Sequence, residues 1–340
     1  MPLREQRLQK VLDSLVAAGA AGVLMHYRDE HGLWRGASGV AEIGTDRPVD
    51  PDGWFRIGSV TKSFTAAVVL SLVGDGLLRL DDSCERWLPG LAPGGDGIVV
   101  RQLLNHTSGL YNYTDDLPEP KQIVLDRYKH WEPQRAVGMA TAHDPLFAPG
   151  SSWSYSNTNY VLLGLLIEAA TNNPYSAELR TRVLEPLGLQ RTLVPGDKVT
   201  LPDPHAHGYV PVDGELVDLA QFNASQAWAA GDIVSNAGDL NRFYAALLTG
   251  ELLRPAELEA MLTTVDTGDA GGGYGLGIMR VELPSGLVVW GHTGGIFGYL
   301  TRSYHSADAS RQVSLSYTGT DAEPPETDEL LISLFDSVLD

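Results

Sequence analysis

The chain holds a single cysteine among its 340 residues. One thiol cannot close an intramolecular disulfide, so packing rather than covalent staples has to hold the fold. That thiol, Cys84 in DDSCERW, stands beside Asp81, Asp82 and Glu85. Their charges oppose a thiolate and exclude a catalytic cysteine. Basic residues are scarce as well. The 24 Lys and Arg face 43 Asp and Glu, for a formal net charge of -19. Such a surface repels nucleic-acid phosphates and anionic lipid, so neither is expected as a partner. No run approaches the roughly 18 apolar residues a membrane span needs. The N-terminal MPLREQRLQKVLDSLVAAGAAG interrupts its apolar positions with charges. It reads as an amphipathic helix, not a signal-peptide core, which predicts a cytoplasmic address. Repeats and low-complexity tracts are absent.

What is present is a composition of 43% hydrophobic and 20% charged residues, enough to bury a sizeable core. The periodicity predicts a helix over 3–18, with Leu3, Leu8, Val11, Leu12, Leu15 and Val16 on one side. Two strand-like runs follow, at 22–29 and 32–43. From Ser59 to Val73 the chain is apolar on nearly all sides, the mark of a buried helix. Residues 75–235 carry helical patterns broken by Pro and Gly; 161–172 is the clearest, and 239–253 follows. Strands are expected at 274–283, 286–292, 298–306 and 311–319, with a tight turn at Pro284-Ser285-Gly286. A closing helix is expected at 326–339. Strands at both ends and helices between predict an α/β fold: an antiparallel sheet flanked by helices, plus an inserted all-α domain. The sheet domain is expected from 1–74 and 236–340, the helical one from 75–235, with the active site in the cleft between.

Three short motifs carry chemistry. Ser59-Val60-Thr61-Lys62 is an S-x-x-K. At a helix start, side chains at i and i+3 share a face, so Lys62 can reach Ser59. A serine hydroxyl needs a base beside it, and a lysine desolvated in an apolar helix can supply one. Tyr155-Ser156-Asn157 offers a phenol to relay a proton and an amide to hold the lysine or a carbonyl. His292-Thr293-Gly294, followed by Gly295, ends a strand where small residues let a substrate backbone add on. The reference pKa of His292, about 6.5, places its charge change in the working range. Singly these motifs are weak, since about one S-x-x-K arises by chance in a chain of this length.

Together, and in this order, SVTK, YSN and HTG resemble the motif set of the serine β-lactamase and penicillin-binding protein superfamily. RQLLNHTSGLYNYT, GYGLGI and WGHTGG are similar to the D-alanyl-D-alanine carboxypeptidases related to class C β-lactamases. The resemblance runs from about residue 10 to 335. It implies a β-lactamase/transpeptidase-like fold and a serine acyl-transfer enzyme without a cofactor. It implies that Ser59 forms an acyl-enzyme, that Lys62 and Tyr155 share the base and acid duties, and that Asn157 holds Lys62 and the substrate amide. His292 stands where most relatives have Lys, and the N–H groups of Ser59 and Gly295 would form the oxyanion hole. Thr293, Gly294, Met279, Phe297, Gln226 and Trp228 are the expected substrate-binding residues.

Three departures stand out against that carboxypeptidase branch. Met279 replaces an Arg that grips the substrate's free carboxylate, Gly295 replaces a Thr, and Gln226 replaces a Trp, with Trp228 close by. Arg280 would point to the opposite face of its strand; Arg302 could substitute from the neighbouring one. A free carboxylate without partners loses several kcal/mol of binding. The expected substrate is therefore a small-molecule or peptide-like ester, thioester or amide with no carboxylate on its leaving side, and the acceptor water or an amine. Esterases, amidases and biosynthetic transacylases or cyclases fit this. A D-alanyl-D-alanine carboxypeptidase or β-lactamase is the alternative; a non-catalytic sensor would have no need of the lysine and tyrosine. His205-Ala206-His207 lacks further ligands, so no metal is expected. His106 reads as structural, with Asn105 and Thr107 shaping a turn at the cleft edge.

Overall fold

The computed structural model describes residues 3–92, 94–268 and 272–319. Strands among them are β1 (Ala20–Asp29), β2 (Gly32–Gly39), β3 (Phe55–Arg56), β4 (Tyr209–Val212), β5 (Glu215–Asp218) and β6 (Val234–Ser235). They continue with β7 (Gly272–Tyr274), β8 (Met279–Glu282), β9 (Val288–Ile296), β10 (Tyr299–Ser306) and β11 (Gln312–Gly319). One sheet runs β2-β1-β11-β10-β9-β8-β7, antiparallel throughout. β3 pairs β6 and β4 pairs β5 in two small ribbons. The expected closing helix at 326–339 lies outside the described residues.

Helix α1 (Leu3–Ala17) lays Leu8, Leu12 and Leu15 on one face of the sheet, against Val23, Met25, Val313 and Leu315. The alternation of the strands sends the other side chains to the opposite face. There Leu24 and Trp290 join the larger core around α2 (Thr61–Gly74). From Cys84 to Leu187 the described elements are all helical. The longest of them, Asn157–Thr171, is buried from Thr158 to Ile167 and packs with α2. Cys84 is buried, which pushes its thiol up to about 11, with Glu85 adding to the shift.

α2 is buried on all sides, as its apolar run predicts. Its polar side chains are all engaged. Ser63 donates to the Gly277 carbonyl at 2.7 Å and Thr65 to that of Ala229 at 2.8 Å. Buried hydroxyls need such partners, and these two tie the helix to two loops that reach the site.

The strand expectations need three corrections. Residues 274–283 are not one strand. The chain breaks after Tyr274, and Leu276 and Ile278 turn into the core. Gly277 makes the turn at a φ of 79°, so close to α2 that a Cβ would lie 2.4 Å from that of Ala66. β9 does not end at His292 but continues to Ile296, so His292-Thr293-Gly294 lies within a paired strand. β2 also stops at Gly39, whose φ of 77° takes the chain out of the sheet.

Candidate active site

Ser59 sits in a single 3-10 turn, Gly58–Val60, that feeds directly into α2. Gly58 opens the turn at a φ of 51°. A Cβ there would lie 2.7 Å from the Gly295 nitrogen, and one on Gly294 only 2.0 Å from the Ile57 carbonyl oxygen. The glycines therefore let β9 press its backbone against the serine turn. Ser59 and Gly295 both line the cavity that opens there.

Lys62 Nζ lies 2.9 Å from Ser59 Oγ, 2.7 Å from Asn157 Oδ1 and 2.7 Å from the Ala230 carbonyl oxygen. Burial alone holds its pKa well below the ordinary lysine range. Two of the three can only accept, while the Ser59 hydroxyl can accept or donate, so it is the one partner placed to exchange a proton with the amine. Thr65 fixes Ala229 and thereby the neighbouring Ala230 carbonyl.

The orientation of Asn157 is set from outside the motif. The Asp115 carboxylate accepts from Asn112 Nδ2 at 2.8 Å, which leaves Asn112 Oδ1 to accept from the Asn157 N–H at 3.0 Å and from its Nδ2 at 3.2 Å. Asn157 Nδ2 also donates to Thr114 Oγ1 at 3.1 Å. Asn157 Oδ1 thus has no choice but to face Lys62. Motif reading missed Asn112 and Thr114, although the YNYT string that carries them was in view.

Tyr155 lies in the loop just before the helix Asn157–Thr171 and is hydrogen-bonded with Ser59. Its ring stands 5.0 Å from Lys62 Nζ. Burial raises its pKa, with the Ser59 bond a smaller opposing effect. The phenol therefore stays protonated.

His292 departs from expectation. Burial, with Lys62 nearby, pushes its pKa down to about 3, so it stays uncharged throughout the working range. Its Nδ1 lies 2.5 Å from the Thr293 carbonyl oxygen, which only accepts and so fixes the proton on Nδ1. Nε2 is then bare and accepts from the Tyr274 hydroxyl at 2.9 Å. Tyr274 was not anticipated. His106 is also displaced from its expected place. It is fully buried, its ring tilted by 35° against the Tyr155 ring at 4.4 Å, with Nδ1 accepting from the Ser156 N–H and Asn159 Nδ2. It supports the tyrosine loop from behind rather than edging the cleft.

The cavity beside Ser59 has a volume of about 320 Å³. Tyr113, Leu117, Asn157, Gln226, Gly295 and Phe297 are among the residues on its walls, and none of the described residues lining it carries a charge. Gln226 and Phe297 are where the sequence reading expected substrate contacts. Trp228 is not. Its 3-10 turn sends the indole back into the helices, 5.6 Å from the Tyr175 ring and against Gly164. Met279 also stays off the wall, with Sδ 4.0 Å from Thr293 Oγ1. Register explains this: Met279 pairs with Gly291, which puts Met279 and Thr293 on one face of β8 and β9. Arg302 is opposite Thr293 in register and buried, donating to the Thr301 carbonyl. Arg280 pairs with Glu282 at 2.9 Å. The His205 and His207 rings stack at 5.4 Å, and no group of three or more metal-ligating side chains occurs among the described residues.

The family profile described as Beta-lactamase matches residues 8–334. A D-stereospecific amidohydrolase from Streptomyces sp. superposes with a TM-score of 0.91 at 38% identity, over 98% of both chains. The D-amino acid amidase from Ochrobactrum anthropi SV3, complexed with L-phenylalanine amide, superposes with a TM-score of 0.86 at 30% identity, again over 98% of both. Among curated sequences, penicillin-binding protein 4* of Bacillus subtilis is 27% identical over 96% of this chain and 72% of its own length. Other curated relatives are longer still; the chain spans 54% of a Brucella anthropi D-aminopeptidase. No described helix is long and apolar enough to cross a membrane.

Proposed function

Because the chain belongs to the Beta-lactamase family, whose relatives here are serine hydrolases acting on esters and amides, we propose that it cleaves uncharged amides or esters of D-configured amino acids or short peptides. In this reading Ser59 Oγ attacks the carbonyl while Lys62, already neutral, takes its proton. The Ser59 and Gly295 N–H groups receive the developing oxyanion. Tyr155, still protonated, gives its proton to the leaving amine or alcohol and recovers one from Lys62. Asn157 holds Lys62 in place, and His292 occupies its strand position without adding a second cation. Water or an amine then releases the acyl group from Ser59.

One observation carries the choice of substrate: the cavity beside Ser59 is walled without a charged side chain. Met279, at the position of the carboxypeptidases' carboxylate-gripping Arg, lies against Thr293 and offers no replacement cation. A buried carboxylate without a partner costs several kcal/mol, so a peptide acid is a poor substrate. The likeness to a D-stereospecific amidohydrolase and a D-amino acid amidase supports the D configuration.

The test compares the methyl ester and amide of N-acetyl-D-phenylalanine, their L isomers, and N-acetyl-D-alanyl-D-alanine. The D ester and amide should exceed both the L isomers and the dipeptide acid by at least about tenfold in kcat/KM. Intact mass after an activated ester should show one acyl adduct that is absent in Ser59→Ala. Faster turnover of the dipeptide acid, or an adduct that persists in Ser59→Ala, would overturn the reading.

A further inference from the structure

The cavity beside Ser59 is not alone. A second space of about 40 Å³ adjoins it, and Gln226 and Phe297 are walls of both. Such a volume has room for a small polar group such as a carboxylate. Its other walls include Arg127, Lys129 and Arg135, with Asp126 as the one acid. This is unusual in so acidic a chain. From 121 to 135 there are four Lys and Arg against two Asp and Glu, where the whole molecule is at -19.

The cations differ in how far they are already satisfied. Lys129 pairs with Asp126 at 2.8 Å. Among the described residues, neither Arg127 nor Arg135 has a carboxylate within 4.0 Å. The Arg127 guanidinium donates to the Val124 carbonyl at 3.2 Å and lies 4.8 Å over the Tyr128 ring. The Arg135 guanidinium carbon lies over the Trp131 indole, 3.7 Å from the ring centroid. Such a cation–π contact holds the guanidinium without using up its N–H donors.

The segment is also tied to the catalytic cleft. The Asn223 N–H donates to the Arg127 carbonyl at 2.7 Å, and the Trp131 N–H to Ser225 Oγ at 2.9 Å. Asn223 and Ser225 belong to the turn that presents Gln226, and the Gln226 carbonyl accepts from the Tyr113 hydroxyl at 2.6 Å. The basic segment, the Gln226 turn and the wall of the Ser59 cavity are therefore one hydrogen-bonded unit. The near cavity excludes charge and the far one attracts negative charge.

We propose that the second cavity is an anionic subsite, in which Arg127 and Arg135 hold a carboxylate at the distal end of the substrate's acyl part. The inference rests on the acyl-transfer reading above and deepens it. The preferred donor is uncharged at the scissile bond and on the leaving side, and acidic at its far end. Guanidinium pairs recognise a carboxylate through parallel N–H bonds as well as charge, and the partly exposed position makes the effect dependent on salt.

The test uses methyl esters of N-acetyl-, N-succinyl- and N-glutaryl-D-phenylalanine, which share the scissile bond and differ in a distal carboxylate. In low salt the better of the two acidic donors should exceed the acetyl donor by about tenfold in kcat/KM, and added KCl should narrow that ratio. The ratio should fall to near one in Arg127→Gln/Arg135→Gln and be retained in Arg127→Lys/Arg135→Lys. Because each ratio is taken within one protein, partial misfolding cancels. Binding of the corresponding amides to Ser59→Ala, read by calorimetry, tests the subsite without turnover. Tighter binding of an acidic amide there supports the subsite even if no ester is cleaved, an outcome that would sink the acyl-transfer reading alone. Equal binding of acidic and acetyl amides, or a preference that survives the double Gln variant, would overturn the subsite.

Discussion

At the scale of single residues, the site is a matter of which proton sits where. Burial lowers the Lys62 pKa well below the ordinary lysine range and so favours the free amine. His292 is neutral for the same reason, and both of its ring nitrogens are committed, to Thr293 and to Tyr274. A histidine so held neither shuttles protons nor titrates near pH 7. The kcat/KM profile between about pH 5 and about pH 8 should therefore carry no inflection from His292. The acid limb belongs to Lys62: its amine must be unprotonated, so activity is present above its lowered pKa and falls as pH drops through it. His292→Gln should slow the reaction by about tenfold without moving that limb, whereas Lys62→Ala should lose at least about a hundredfold. An inflection near the ordinary histidine value that disappears in His292→Gln would show that His292 does titrate.

At the scale of elements, the site depends on how closely β9 meets the turn before α2. Two backbones can come this near only where side chains are missing. Gly294→Ala puts a Cβ about 2.0 Å from the Ile57 carbonyl oxygen, an atom of the main chain that cannot swing aside. The strand has to retreat, and the Gly295 N–H retreats with it from the oxyanion position. Loss of one such donor costs about a hundredfold or more in kcat. Gly286→Ala makes the control. It sits in the β8–β9 turn at a φ of 81° but with open space around it, so it strains the backbone without touching the site. Thermal melts and kcat on both variants separate the two effects: Gly294→Ala should lose far more kcat than Gly286→Ala for a comparable drop in Tm. Equal kcat losses would mean that the close approach has no special part in catalysis.

At the scale of the whole molecule, burying imidazoles sets a pH limit on stability. Burial lowers the pKa of His26, His106, His292 and His305 in the folded protein, the last two to about 3. The unfolded chain takes up those protons near pH 6.5, so it binds more protons than the folded one below that value. Stability is then fully present above pH 6.5 and declines as pH falls toward the folded pKa. Between about pH 7.5 and about pH 5.5, His292 and His305 should each remove roughly 1 kcal/mol. His305 is remote from the reacting groups, bonded to Ser303 and stacked on Tyr244. His305→Phe keeps a ring there and should flatten the decline by about one proton's worth. Melting temperatures measured across that range check this; a wild-type Tm that does not fall would contradict it.

Much of this was legible in the residues themselves. Ser59, Lys62, Tyr155, Asn157 and His292 could be named because each motif is a local arrangement of chemically necessary groups. The apolar run after Ser59 also announced the burial that lowers the Lys62 pKa. The sheet and its flanking helices followed from periods of two and 3.6. Other features depend on groups that meet only across the fold. Asn112 lies 45 residues from Asn157 along the chain, and Tyr274 lies 18 from His292. The Ala230 oxygen is a main-chain atom with no signature at all, yet it is one of the three partners that hold Lys62. Trp228 and Met279 were misplaced because nearness in sequence does not say which way a side chain points; the turn at 228 and the register of β8 on β9 decide that. The sequence by itself determined which candidate reacting groups the chain carries, since those are side-chain types at short spacing. Only the tertiary structure decided their charges, their orientation and the shape of the cavity, because each depends on burial and on partners brought together from distant segments.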